Sequence, residues 1–421
     1  SPTIYVDGAV SSTLNDLKWH LVTVVSTAGI NANSVTLGKS TNYFGGVLDD
    51  VRFYSKTLPA AQVATLYQTG SGNRLHVAQI PVTGVTTLID KTAFATTTLA
   101  IGVNSITYTL PSSFDTSRSV VINLGLNVND ATERADQYAS MYLTDANTVT
   151  ITRGTSANDA IIPAFEVVQF STGVVSSIQT GDLVFTSGNS TQTKTITSVD
   201  TSRSVVLWQG NYTTNGTTIE GRTNTIFSLS DSTTVTGNRG TSGAVATSTY
   251  AVIQFASGIT TSVQQASSTI SASTPRSTFT INAVNMNNAF LFFSGYTYVA
   301  GGHVPSTAIL ADSTTVVFDR GINQSGNSKA GGTVVEFSPT YLNSNAQSGS
   351  TLMSGKASDI STLTSVTLNK TLLSWTGARG DNSLPSRVRM YIYPQSSTNI
   401  TAYRQSSSGN ASTTWSLIES K

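Results

Sequence analysis

Four times in 421 residues the chain closes a polar, threonine-bearing stretch on an arginine, and this recurrence limits the fold more than any single motif. The strings are "LTDANTVTITR", "LSDSTTVTGNR", "LADSTTVVFDR" and the looser "YPQSSTNITAYR". Their arginines, Arg153, Arg239, Arg320 and Arg404, stand 86, 81 and 84 residues apart. Upstream landmarks keep the same step. "SFDTSRSVVINLG" and "SVDTSRSVVLWQG" place Ser117 and Ser202 85 residues apart, and "AVNMNNAFLFFSG" and "SVTLNKTLLSWTG" take the corresponding places later. Each copy ends on an apolar run, "AFEVVQF", "YAVIQF", "TVVEF" or "TWSLIES". A unit of this length is too long for a solenoid coil and suits a β-sandwich of about seven short strands.

The local pattern is that of strands throughout. "SVVINLGL", "SVVLWQG", "AFLFFSGY" and "TLLSWTG" are short, apolar or alternating, and read as strands closed by glycine or polar residues. One stretch reads as a helix, "LPAAQVATLYQTG", with Pro59 near its start, Val63, Leu66 and Tyr67 on one face and Gly70 at its stop. The expected fold is all-β, with a first segment at 1–72 and four tandem immunoglobulin-like or similar β-sandwich repeats at 73–170, 171–255, 256–338 and 339–421. No flexible linker separates the repeats, so the sequence predicts a stiff, beaded rod.

Composition narrows the function. Charged residues are 11% of the chain and nearly cancel at +1, which leaves no nucleic-acid footprint and no polybasic membrane patch. Ser, Thr, Asn and Gly replace charge, as is common on secreted β proteins. Cysteine is absent, which excludes disulfides, thiolate metal sites and cysteine nucleophiles. No run approaches the length of an apolar membrane span, and "SPTIYVDGAV" lacks the regions of a signal peptide, so the chain reads as a processed or truncated product. The expected location is extracellular, on a cell or virion surface.

Residues 4–67 carry a resemblance. "IYVDGAV", "KWHLVTVV", "VTLGKS" and "YFGGVLDDVRFYSKTLPAAQVATLY" together resemble the carboxy-terminal part of laminin-G/concanavalin-like sandwich domains, a partial jelly-roll. The resemblance implies an adhesive or carbohydrate-binding module. It also implies that amino-terminal strands of the sandwich are missing, which leaves unpaired edges. Two readings stay open: the sequence begins late within the domain, or a strand from a neighbouring copy fills the edges, and on the second reading copies of the same chain in a homopolymer are the expected partners, with surface glycans as further candidates. The repeats themselves are similar to repetitive β-domains of phage virion and bacterial surface fibre proteins, a likeness that implies assembly and attachment.

Candidate chemistry is sparse. His20, His76 and His303 fall in different units without metal-ligand spacing. Asp49 and Asp50 have two readings. They offer hard oxygens to Ca²⁺, the one candidate cofactor, or one faces a turn while the other pairs with Arg52. Glu133, Asp136, Glu166 and Glu220 are scattered and none recurs in every copy, which argues against a glycosidase pair, and no G-x-S-x-G elbow is present. Trp208, Phe292, Phe293 and Trp375 read as core anchors, whereas Tyr212, Tyr296 and Tyr298, expected in or beside the following loop, are candidates for stacking on a sugar.

In the repeat signature, Asp145, Asp231 and Asp312 are expected to cap turns. Arg153, Arg239, Arg320 and Arg404 are expected to close each unit near its surface, pairing with an acidic group or with carbonyls near the next module. The function expected is non-enzymatic: a rigid multidomain subunit of a surface fibre or filament, polymerising by strand complementation. The alternative is a carbohydrate-binding adhesin or a virion tail-fibre or decoration protein.

Overall fold

Valine, isoleucine and threonine at alternate positions favour the pleated backbone, and strands account for most of the described residues. The computed structural model describes residues 2–11, 20–26, 57–64, 86–129, 134–154, 158–213, 220–298, 305–323, 325–380 and 385–421. The chain divides into two units, Ser1–Gln79 and Ile80–Lys421.

In the first unit, β1 (Thr3–Val6), β2 (Ala9–Val10) and β3 (Val22–Val25) form an antiparallel sheet in the order β2-β1-β3. The turn after β1 carries Asp7 and Gly8 at positive φ. The Asp7 carboxylate accepts the Leu21 N–H at 3.0 Å and meets His20 Nδ1 at 2.6 Å, which fixes the entry of β3. Residues 60–64 are helical after Pro59, and Val63 is buried. Leu66, Tyr67 and Gly70 lie outside the described residues.

The second unit holds four copies of six strands. The first comprises β4 (Ile89–Thr96), β5 (Ser105–Thr109), β6 (Ser119–Val128), β7 (Ser140–Asp145), β8 (Thr148–Thr152) and β9 (Ile161–Phe170). The second comprises β10 (Val175–Phe185), β11 (Thr191–Thr195), β12 (Ser204–Thr213), β13 (Thr225–Asp231), β14 (Thr234–Arg239) and β15 (Ala246–Phe255). The third comprises β16 (Thr260–Ile270), β17 (Arg276–Thr280), β18 (Ala289–Tyr298), β19 (Thr307–Asp312), β20 (Thr315–Asp319) and β21 (Ser328–Phe337). The fourth comprises β22 (Gln347–Ser354), β23 (Ser358–Thr362), β24 (Thr371–Gly380), β25 (Tyr391–Ser396), β26 (Asn399–Tyr403) and β27 (Asn410–Glu419).

These copies do not form a rod of independent beads. Each of the four six-stranded antiparallel sheets takes three strands from one copy and three from the next, as in β10-β15-β12-β7-β8-β5. The last sheet, β23-β26-β25-β6-β9-β4, joins the fourth copy to the first. The cycle of shared sheets therefore closes, and a buried core runs through all four copies. The reading of a rod fails because the pairing partner of each copy's fourth strand lies in the following copy, a relation no local pattern records.

One glycine per copy makes the shared sheet possible. Gly125, Gly210, Gly295 and Gly377 have φ of 94, 108, 111 and 109°, where side chains with a β-carbon rarely go. Each sits at a register shift in the third strand of its copy and pairs across the junction, with Tyr391, Ser140, Ile226 and Thr307 respectively. A β-carbon at any of the four would collide with a carbonyl oxygen of the adjoining copy. These glycines are β-bulges inside ten-residue strands and do not end them.

The third strands β6, β12, β18 and β24 pack against one another about the common axis. They are buried on both faces, and their near-continuous apolar runs are the sequence form of that environment. At the centre Trp208 stacks on Trp375 at 6.1 Å between ring centroids, and Phe293 meets Trp375 edge-on at 5.5 Å. Outer strands such as β5 and β17 instead alternate exposed and half-buried residues.

Sheet edges are stitched by side-chain amides. Gln179, Gln264 and Gln347, on edge strands β10, β16 and β22, each pair twice with backbone of the neighbouring sheet's edge. Gln264 Nε2 donates to Asn282 O at 3.0 Å while its Oε1 accepts the Asn282 N–H at 2.7 Å. The same clip joins Gln179 to Thr197 and Gln347 to Thr364. In the first copy the corresponding position is Ala93, and Lys91 two residues before it donates from Nζ to Ser113 O.

Candidate functional site

The recurrent arginines are interior groups. Arg153, Arg239, Arg320 and Arg404 are 1, 4, 1 and 2% exposed. Arg153 donates to the carbonyls of Val103 (2.7 Å), Ala100 (2.6 Å), Asp159 (2.8 Å) and Asp136 (3.3 Å). Arg239 does the same for Asn189, Thr186, Ala244 and Arg222, and Arg404 for Lys356, Met353, Gly409 and Arg387. Arg320 holds Ile322, Gly326, Ser271, Ala272 and Thr274. A planar guanidinium with five donors gathers the loop carbonyls that no strand can satisfy.

The surface pairing expected of these arginines is thus corrected in place and in strength. Each of these bonds stays within its own copy, and bonds from a buried cation contribute about 1.5–3 kcal/mol each, above the value of a surface pair. Burial lowers the Arg239 pKa to about 10, with the Arg222 guanidinium adding to the shift.

The acidic members of the signature close the turns before the arginine strand. Asp145 Oδ1 accepts the Asn147 N–H at 2.8 Å, Asp231 that of Thr233 at 2.7 Å and Asp312 that of Thr314 at 2.8 Å. In the fourth copy Ser396 Oγ takes this place for Thr398. Hydrogen bonds from Thr233 and Thr314 hold the Asp231 and Asp312 carboxyls below their usual range. A second Asp turn recurs in "DTSRS". Asp115 and Asp200 cap Ser117 and Ser202 and pair with Arg118 and Arg203.

Tyr296 and Tyr298 are 5 and 2% exposed inside β18, and Tyr212 is half-buried inside β12. Two of the three expected sugar platforms are therefore core residues. The glycine before them is a bulge, so the strand continues where a loop was expected. Trp208, Phe292, Phe293 and Trp375 are all buried. Asp136 accepts the Asn158 N–H, and Glu166 is fully buried and holds the Leu373 N–H at 2.8 Å. Glu133 and the Glu220 side chain lie outside the described residues, as do Asp49, Asp50, Arg52, His76 and His303. Among the described residues no group of three or more His, Cys, Asp or Glu could hold a metal ion.

The outer faces of β5, β8, β11 and β14 carry hydroxyls, of which Thr150 at the middle of β8 is buried. Thr191, Thr193 and Thr195 on β11 stand opposite Asn238, Thr236 and Thr234 on β14, and Ser105, Thr107 and Thr109 on β5 opposite Thr152, Thr150 and Thr148 on β8. The fourth copy departs from this pattern. Its β25 and β26 carry Tyr391 and Tyr403 stacked at 5.0 Å with 24° between ring planes, while Tyr393 sits half-buried beside them. Tyr403 donates its hydroxyl to Gln395 Oε1 at 2.8 Å, and Ile360 on neighbouring β23 is 56% exposed. Burial, with Tyr403 adding, raises the Tyr391 phenol to about 12, so it stays a neutral hydroxyl. The arrangement offers ring, hydroxyl and amide on one surface, the mixture that recognises amphipathic ligands. The sequence does not announce it, because "YPQSSTNITAYR" reads as a looser fourth copy of the signature and Tyr391 lies just before it.

No protein-family model matches the chain, and no curated protein matches it. Among the described residues no helix is long and apolar enough to cross a membrane.

Proposed function

We propose that this chain is a non-enzymatic structural protein of an extracellular surface, a rigid subunit of a fibre, filament or virion appendage. The closure of the four shared sheets supports this reading above all. Such an assembly resists deformation without disulfides, and its recurrent arginines hold backbone instead of facing a cleft. The neutral, hydroxyl-rich exterior and the laminin-G-like resemblance of residues 4–67 agree with attachment outside a cell. Because the ring's edges are clipped by Gln179, Gln264 and Gln347, strand donation between copies is assigned to the first unit. Negative-stain microscopy of the full chain tests the proposal: regular polymers support the filament, and single particles at every concentration overturn polymerisation.

A second reading, carbohydrate adhesion, draws its support from the tyrosine surface of the fourth copy. Glycan-array binding that disappears in Tyr403→Ala would favour it, and silence across the array would remove it.

A further inference from the structure

The four copies fill one junction position differently. The residue is Phe94 on β4, Thr180 on β10, Gln265 on β16 or Ser348 on β22, and it stands opposite Glu166, Ala251, Thr333 and Ser416 respectively. Gln265 reaches the preceding copy at Leu229 on β13. Its Oε1 accepts the Leu229 N–H at 2.9 Å, and its Nε2 donates to the Leu229 carbonyl at 3.2 Å. Phe94 meets Tyr393 on β25 edge-on, with 6.5 Å between ring centroids. Ser348 is too short to do either. Beside it, between the third and fourth copies, lies a cavity of about 120 Å³ lined by Leu291, Ala308, Leu310, Ser348, Trp415 and Ser416, among other residues. Ser348 is exposed while Leu291, Ala308 and Trp415 are buried, so the cavity runs inward from the surface.

What Gln265 satisfies at Leu229 is left open at Leu310. Leu310 stands opposite Val316 as Leu229 stands opposite Val235, with the same register shift just after it. In an antiparallel ladder a residue exchanges both backbone bonds with its opposite or neither. Leu229 gives both of its groups to Gln265, so the same register aims the Leu310 N–H and carbonyl away from β20, toward Ser348 and the cavity. The Trp415 indole N–H, in a residue 4% exposed, also has no partner.

The lining thus pairs a backbone donor and a backbone acceptor with the apolar surface of Leu291 and Ala308. A primary carboxamide carries the complementary acceptor and donor side by side, and this is the group the chain itself uses one junction earlier. The volume agrees. An apolar cavity of about 150 Å³ takes a benzene ring, and a carboxamide on a two-carbon stem is smaller.

We propose that this cavity binds a primary carboxamide on a short aliphatic stem, carried by a small amide or by a glutamine side chain of another polypeptide. Its carbonyl accepts the Leu310 N–H and its NH₂ donates to the Leu310 carbonyl.

The test titrates the full chain with propionamide, following the Leu310 amide resonance and the melting temperature. A saturable shift of that resonance and a saturable rise in melting temperature are expected. Both should weaken about tenfold or more in Ser348→Gln, whose own side chain would take the site as Gln265 does, and with N,N-dimethylpropionamide, which has no N–H to donate. Ser348 is exposed, so the variant keeps the fold, and hydrogen exchange at Leu310 should slow in it toward the rate at Leu229. No saturable shift in the unsubstituted chain overturns the proposal. So does a response unchanged in Ser348→Gln, or one that the dimethyl amide reproduces equally. A parallel titration with N-acetylglutamine methylamide separates the sources: saturation by both ligands assigns the site to a glutamine side chain, and saturation by propionamide alone to free small amides.

Discussion

The Leu373 N–H donates to Glu166 Oε2 at 2.8 Å, so a carboxyl from the first copy completes the backbone of the fourth. The equivalent contact between the third and fourth copies uses a hydroxyl, Ser416 Oγ to the Leu291 N–H at 3.2 Å. Glu166 is fully buried, and its Oε1 has no partner. Burial pushes its pKa well above the usual carboxyl range, while the Leu373 N–H pulls more weakly the other way.

This gives a pH dependence of known sign. The folded chain keeps the Glu166 proton at pH values where the unfolded chain, titrating near about 4.3, has lost it. The contribution is fully present below the unfolded value and is lost as pH rises through the folded one. Glu166→Gln should flatten that slope and raise stability near neutrality. Urea midpoints at about pH 4 and about pH 8 measure it, and parallel pH profiles for the two chains would sink the assignment.

Gly210→Ala should cost about 3 kcal/mol, because its φ of 108° is strained for a β-carbon and that carbon would strike the Ala139 carbonyl. Gly188→Ala, where nothing lies within 4 Å, is the control and should change little. Thermal unfolding of both variants checks the contrast.

Arg153→Met should destabilise by roughly 4 kcal/mol, since four carbonyls lose a charged donor in a buried place. The apolar side chains beside Arg153, Leu99, Val149, Ile151 and Ile161 among them, form a cluster within the first copy, but β5, β7 and β8 share one sheet with β10, β12 and β15 of the second copy, so the loss should appear in one cooperative transition of the whole ring. A separate early melt confined to the first copy would contradict that coupling.

Gln264→Leu should cost about 1 kcal/mol, since both bonds to Asn282 lie at an exposed edge that water can reach. Hydrogen exchange at the Asn282 amide should quicken while Thr197, held by Gln179, keeps its rate.

Circular permutation should be tolerated. Ser420 Oγ accepts the N–H groups of Leu88 and Ile89 at 2.7 and 3.1 Å, so the two ends of the ring already touch. Residues 86–421 without the first unit, joined there and opened at exposed Gly188, should melt as a single unit close to the same residues unpermuted.

Much of this was legible in the sequence. Alternating Thr and Val in "NTVTIT", the continuous apolar run of "AFLFF" and the period of the arginines specify strand, burial and copy number, because each is a local or periodic property. Sheet sharing was not legible: Gly210 meets Ser140 at a single bridge some seventy positions back, and nothing in "LWQGNY" separates a bulge from a strand end. The depth of Arg153 was also hidden, for its partners are carbonyls, which every residue has. The candidate surface at Tyr391 and Tyr403 was visible only as imperfection in the fourth copy.

The closure of β25 onto β6 through Tyr391 and Gly125 also fixes an integer. A linear array of such units would tolerate one more or one fewer, and unequal recombination between similar repeats would change its length freely. Here a lost copy strands half of two sheets, and an added one must widen the axis on which Trp208 and Trp375 stack. The repeats are free to diverge in sequence, as the fourth has done, but not in number.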